Sequence, residues 1–301
     1  MTRRIAIFTD EPGWHGQQLQ QAFSRRGVEA LFVSLQQCAF ALHQQQPQPT
    51  PWVRIPGFEQ SLPDGVFVRG VSGGSLQQVI MRLDVLHALK LLGVPVYNDG
   101  RAIERTVDKA MTSLLMQLHV LPSPPTWVCE SRWQAAELLK AEHAAGHALV
   151  LKPLFGSQGK GVQRLLPGSA LPVPMLPEVD GLYYLQRYID SGAGRWHDYR
   201  VFVIGQRVLA CMRRHGQDWV NNVAVGGRCE LVEGDAELEA LALAAARAVD
   251  IAYCGVDIIR DLHGQCHVLE VNSIPAWRGL QSVARQDIAL ALVDDFVAQL
   301  A

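Results

Sequence analysis

Two apolar stretches of this chain carry oxygen-bearing side chains where a buried strand would not ordinarily hold them. Gly255-Val-Asp257-Ile-Ile and Leu269-Glu270-Val-Asn272 each set an acid inside a run of aliphatic residues. A carboxylate in a buried strand is costly unless it is paired or binds a metal. Glu270 and Asn272 are two apart, so both point to one face of a strand, and Asp257 on a neighbouring strand can join them. Hard oxygen ligands of this kind suit Mg²⁺, which also binds nucleotide phosphates. The same residues also fit solvent-facing polar groups near strand ends.

Upstream, Lys152-Pro-Leu-Phe-Gly156-Ser157-Gln-Gly159-Lys-Gly161 delivers a lysine into a glycine-rich turn. Glycines let backbone N–H groups turn toward phosphate oxygens without a Cβ in the way. The spacing is neither G-x-x-x-x-G-K-[ST] nor G-x-G-x-x-G, and an ordinary hairpin turn fits it as well. Between these stretches lie Asp198, Arg200, Arg213 and Arg214, followed by Asn221 and Asn222. Arginines suit multivalent phosphate contacts, although a solvated strand edge would carry the same residues.

The elements that must position these groups follow from periodicity. A strand at 5–8, a helix at 17–26 closed by Gly27, and a strand at 30–33 give a βαβ alternation and predict a parallel sheet. The polar, proline-rich stretch 43–56 predicts a surface loop. Strands at 66–68 and 94–97 flank a helix at 76–92. Further helices are expected at 101–118, 135–145, 236–249 and 287–300. Strands are expected at 148–152, 183–188, 199–204, 207–212, 252–259 and 266–271. With 301 residues and 49% hydrophobic content, two or three compact units are expected.

A net charge of -2 gives no overall bias toward nucleic acid or acidic membranes. The six cysteines, at 38, 129, 211, 229, 254 and 266, form no C-x-x-C pair, so they read as reduced, mostly buried thiols. The apolar run near the N-terminus is too short for a signal peptide, and no window of 18 or more apolar residues exists. A cytoplasmic protein without nucleic-acid or membrane partners is expected.

The order of the motifs resembles the ATP-grasp superfamily, and within it the glutamate ligases of the RimK type. The stretches are Asp108-Lys109-Ala-Met-Thr, Val150-Leu-Lys152-Pro with Gly156 to Gly161, Leu185-Gln-Arg-Tyr-Ile189, Asp198-Tyr-Arg200-Val-Phe, Trp219-Val-Asn-Asn222, Gly255-Val-Asp257 and Leu269-Glu-Val-Asn272-Ser-Ile-Pro275. Val68-Arg69-Gly70-Val-Ser-Gly-Gly-Ser, Ala102-Ile-Glu-Arg-Thr and Ala276-Trp-Arg-Gly-Leu-Gln281 look like the branch associated with tetrahydromethanopterin-type cofactors. The resemblance implies an α/β (α+β) chain with the ATP-grasp fold. A parallel-sheet pre-ATP-grasp domain would occupy 1–100, a lid subdomain 101–185, and a C-terminal subdomain with the metal site 186–301.

It also implies an acid–amino-acid ligase that activates a carboxylate with ATP as an acyl phosphate and joins it to an amine, with L-glutamate as the expected amino acid. Lys109 and Lys152 would hold ATP phosphates. Gly156, Ser157, Gly159 and Gly161 would form the lid loop. Gln186, Arg187 and Tyr188 would lie at the adenine hinge, with Asp198 and Asn222 near the nucleotide. Arg200, together with Lys152, would serve the phosphoryl transfer. Asp257, Glu270 and Asn272 would hold two Mg²⁺ ions, for which Mn²⁺ can substitute. Arg187 departs from the family pattern, which has Glu before the aromatic, and Val220 stands where some relatives carry a basic residue. Arg213, Arg214 and Arg278 are candidates for the glutamate side-chain carboxylate, and Arg69 for the acceptor. Relatives are often dimers or tetramers, which allows a homo-oligomer. A regulatory nucleotide-binding protein and a dipeptide- or glutathione-type ligase are the competing readings.

Overall fold

The computed structural model describes residues 2–42, 52–156, 159–176, 179–192, 196–216, 218–219 and 228–300. Short apolar runs alternate with helices at the start of the chain: β1 (Arg4–Phe8), α1 (Gly13–Arg25), β2 (Glu29–Val33), β3 (Ala39–Phe40), β4 (Val53–Arg54), β5 (Gly65–Val68), α2 (Leu76–Leu91), β6 (Val96–Tyr97) and α3 (Gly100–Val107). There follow α4 (Lys109–Leu118), β7 (Thr126–Cys129), α5 (Arg132–Ala144), β8 (Leu149–Lys152), β9 (Gln163–Leu165) and β10 (Tyr183–Arg187). The rest of the chain is β11 (His197–Ile204), β12 (Arg207–His215), β13 (Arg228–Val232), α6 (Ala236–Val249), β14 (Tyr253–Arg260), β15 (Cys266–Asn272), α7 (Arg278–Gln281) and α8 (Ile288–Val297).

Two compact units result. One comprises Met1–Glu104, Ile251–Cys254 and Ser273–Ala301, the other Arg105–Asp250 and Gly255–Asn272. The first is built on a parallel sheet of order β2-β1-β5-β6. The sequence reading assigns the last thirty or so residues to the C-terminal subdomain. In the structure they return to the first unit, because α8 lays its apolar face on α1 and its Phe296 enters a cluster with Phe23, Phe67 and Tyr97. Gly65 leads β5 beneath α8, where a Cβ would come within 2.4 Å of Leu300. Asn98, fully buried, stitches the returning strands in. Its amide donates to the Tyr253 carbonyl (2.8 Å) and the Ser273 carbonyl (2.7 Å), and its oxygen accepts from the Tyr253 N–H.

The second unit holds two antiparallel sheets, β7-β10-β8-β9 and β13-β12-β11-β14-β15. Helix α5 covers the first around Ala135, Leu149, Leu151, Tyr183 and Leu185. Helices α4 and α6 pack on the second. The single helix expected at 101–118 is broken into α3 and α4. Asp108 takes an extended backbone there and its carboxylate accepts from the N–H groups of Ala110 and Met111, which caps a new helix at Lys109. The loop expected at 43–56 includes β4, which pairs with β3. Residues 43–51 lie outside the described residues.

Candidate functional site

The strands of the larger sheet in the second unit bring the suspected carboxylates face to face. Strands β14 and β15 run antiparallel with Asp257 opposite Glu270 and Gly255 opposite Asn272, so period 2 puts the Glu270 and Asn272 side chains on the face of Asp257. The Asn272 amide points back to the Gly255 carbonyl (3.3 Å) and the Asp257 carboxylate (3.5 Å). On the neighbouring β11, Arg200 donates to both Asp257 oxygens at 2.7 Å. Strand β12 adds Arg214, which approaches Asp257 to 3.0 Å and forks onto Asp198, its cross-strand partner. A row of alternating charge therefore crosses three adjacent strands, β12, β11 and β14. Burial by itself would raise the Asp257 carboxyl, but the Arg200 and Arg214 guanidiniums hold it down at about 2.

Glu270 is in a different position. It is half-buried, and no described residue gives it a hydrogen bond or an ion pair. Desolvation, and then the charge of Asp257, push its carboxyl above the usual range, against the pull of Lys109 and Lys152. Those two lysines arrive from separate elements. Lys109 is the first residue of α4, where the Asp108 cap fixes it, and its Nζ donates to the carbonyls of Gly156 (2.8 Å) and Leu154 (3.3 Å). Lys152 ends β8, and its Nζ donates to Gln186 Oε1 at 2.6 Å. Burial lowers the Lys152 ammonium to about 8 in spite of Glu270. Gln186 is in turn fixed by donating to Thr126 Oγ1 (3.0 Å) and Tyr184 Oη (3.2 Å).

The glycine-rich turn begins beside Lys109 through that Gly156 carbonyl. Gly159 and Gly161 take φ of 71° and 72°, a region that other residues rarely adopt. Ser157 and Asn222, with Asn221 and Val220, lie outside the described residues. At the hinge after β10, Arg187 forks onto Glu142 of α5 at 2.9 and 3.1 Å, so its charge is locally balanced. Arg164 lies 5.0 Å over the Tyr188 ring and 5.4 Å over Trp219. Sequence reasoning missed Glu142, Arg164 and Thr126. Each lies far from its partner in the chain, and no local pattern marks the pairs.

Asp198 spends its oxygens on Arg214 and is buried with it. Arg214 is therefore committed to two carboxylates. Arg213 lies 3.9 Å from Glu230 and 5.3 Å over Tyr199. Arg69 and Arg278 belong to the first unit, over the Trp277 and Trp14 rings.

Asp257, Glu270 and Asn272 supply hard oxygen donors on one face. Among the described residues no three His, Cys, Asp or Glu side chains gather to hold a metal. A carboxylate pair with an amide is a donor set of the kind Mg²⁺ takes together with water and phosphate oxygens. The unpartnered Glu270 carboxylate between Asp257 and two lysines fits such an ion. Two lysines, an arginine fork and a carboxylate pair carry the charges that a polyphosphate and its metal would need.

A family model described as the RimK-like ATP-grasp domain matches residues 106–296. The chain belongs to this family. A tetrahydromethanopterin:alpha-L-glutamate ligase of Methanococcus maripaludis is 30% identical over 97% of both chains. The protein of the same name from Methanocaldococcus jannaschii is 38% identical over 78% of this chain and 79% of its own. Among solved structures, the ATP-grasp ligase PsnB, complexed with a phosphomimetic variant of a minimal precursor, Mg and ADP, superposes with a TM-score of 0.75 at 20% identity. That match covers 100% of this chain and 99% of the other. The ATP-grasp fold expected from the motifs is the fold found, and the chain is an ATP-grasp ligase, an enzyme that forms amide bonds. No helix among the described residues is long and apolar enough to cross a membrane.

Proposed function

We propose that this ligase uses ATP to activate a carboxylate on a small-molecule cofactor or a protein, and joins it to the amine of L-glutamate. The observation that carries the reading is Glu270. Its carboxylate is desolvated opposite Asp257 and near two lysines, with no described protein partner. Such a group costs stability unless a bound cation uses it. The names of the similar archaeal proteins support glutamate as the amino acid. Six free cysteines fit a reducing cytoplasm as the working compartment.

In this reading Asp257, Glu270 and Asn272 would hold Mg²⁺, two ions as the resemblance implies, or Mn²⁺ in their place, and the metal would supply positive charge against the phosphate oxygens. Lys109 and Lys152 bind the phosphates, and the glycine-rich stretch with Gly156, Gly159 and Gly161 helps to exclude water from them. Backbone groups around Gln186, Arg187 and Tyr188 read the adenine. Asp198 enters through Arg214, which it holds against Asp257. Arg200, forked onto Asp257, would be the cation placed to meet the transferring phosphoryl group if Asp257 held the metal. The substrate carboxylate oxygen bonds to the γ-phosphorus and the bond to ADP breaks. The amine then attacks the acyl carbon, the amide forms and inorganic phosphate leaves. Excluding water protects the acyl phosphate from hydrolysis.

The test is ADP release from ATP and Mg²⁺, with and without L-glutamate and a low-molecular-weight extract as acceptor. Release that requires both additions, with a glutamyl mass increment on one extract component, is expected. ATP binding without turnover under any of these additions would overturn the ligase reading for a regulatory one.

A further inference from the structure

The first unit holds a half-buried cation for which the described residues supply no ion-pair partner. Arg69 directly follows β5, is half-buried, and has its Nε fully enclosed without a hydrogen-bond partner. One of its terminal nitrogens donates to the Ile274 carbonyl at 3.2 Å, and its guanidinium lies 4.9 Å over the Trp277 ring. Among the described residues no carboxylate comes within ion-pair distance of it. Burial pulls its affinity for the proton down. A desolvated guanidinium with unused donors destabilises a protein unless something anionic uses it.

Its neighbours share one chemistry. Trp14 and His15 stand in the first turn of α1, which follows β1, the strand beside β5. No side chain caps α1 and no acid sits in its first turn, so its positive end is uncompensated. His15 packs edge-on against Trp277 at 4.6 Å, and its Nε2 accepts the Trp277 backbone N–H at 3.1 Å. The ring is therefore neutral, with its proton on Nδ1. Arg278, exposed, lies 5.9 Å over the half-buried Trp14 ring. Asp10, in the turn after β1, directs its carboxylate elsewhere, accepting from Ser34, Ser72 and Gln36. In parallel sheets the crevice beyond the carboxyl ends of adjacent strands is where ligands bind, and these residues occupy it.

We infer that Arg69, Arg278 and Trp14 form a seat in the first unit for a carboxylate carried on a flat ring, belonging to the acid substrate rather than to ATP. The assignment to the acid substrate rests on the ligase reading above, whereas the anion seat itself does not. Arg69 supplies the fork for the carboxylate, Trp14 the ring face, and Arg278 a second cation at the rim.

The experiment follows tryptophan fluorescence of the full chain during titration with sodium benzoate, with benzyl alcohol as the uncharged analogue. Wild type, Arg69→Gln, Arg278→Ala and Trp14→Phe are compared, and binding of a fluorescent ATP analogue is measured on the same preparations. The expected result is a saturable response to benzoate and none to benzyl alcohol. Loss of the charged fork should weaken benzoate about tenfold in Arg69→Gln. Loss of the rim cation should weaken it about threefold in Arg278→Ala. Trp14→Phe should lose most of the signal, and ATP binding should be unchanged in all of them. Arg278 is exposed, so its variant decides the matter if Arg69→Gln fails to fold. No saturable response in wild type, an equal response to benzyl alcohol, or undiminished affinity in both arginine variants would overturn the seat. A benzoate response in a protein that binds no ATP would leave the seat standing and remove the ligase reading.

Discussion

In the second unit Asp198, Arg214, Asp257 and Arg200 lie on adjacent strands, each with an opposite charge at hydrogen-bond distance. One strand further, Glu270 has no such partner among the described residues, and in the first unit neither has Arg69. The difference separates two uses of buried charge. Compensated pairs hold the sheet in register and cost the fold little as long as they remain whole. Uncompensated groups lower stability, and the chain keeps them where a ligand of opposite sign is to bind. On this reading Glu270 waits for a cation and Arg69 for an anion.

Breaking a compensated pair should be the more damaging change to the fold. Asp257→Asn leaves Arg200 facing a neutral acceptor and Arg214 with Asp198 alone, and should destabilise the protein by about 3 kcal/mol in urea unfolding followed by circular dichroism. Asp198→Asn should cost somewhat less, about 2 kcal/mol by the same measurement, because Arg214 keeps Asp257. The pair Arg187–Glu142 is more open to solvent. A double-mutant cycle through Arg187→Ala and Glu142→Ala should give a coupling of about 1 kcal/mol, and a null coupling would deny that Glu142 balances the hinge arginine.

A pH slope in the first unit tests the other side of the comparison. His15 titrates near 6.5 when unfolded, but burial, and then Arg69 and Arg278, lower it to about 4 in the fold. Between those values the unfolded chain binds a proton that the folded chain refuses, so stability falls as pH drops from 6.5 toward 4. His15→Gln should show a shallower loss than wild type over that window in thermal melts.

Much of the site was legible because strand periodicity is short-ranged. The two-residue spacing of Glu270 and Asn272 fixed their common face, and the acid within 255–259 marked the partner strand. The fork of Arg214 onto Asp198 was not legible, since sixteen residues and a turn separate them and only the β11–β12 register brings them together. The break at Asp108 was hidden because 101–118 keeps helical periodicity through it, although Asp is a favoured cap. Strands β9 and β13 are short and carry Arg164, Arg228 and Glu230, so no apolar run announced them. The return of 273–301 to the first unit depends on Asn98 and Phe296 finding partners far along the chain.

The most direct test of the account is Glu270→Gln, with turnover and melting temperature measured on the same preparation. If this carboxylate exists for the metal and nucleotide, ATP turnover should fall by about a thousandfold or more, while the melting temperature stays the same or rises. Turnover within a few-fold of wild type, or a loss accompanied by a clear drop in melting temperature, would contradict it.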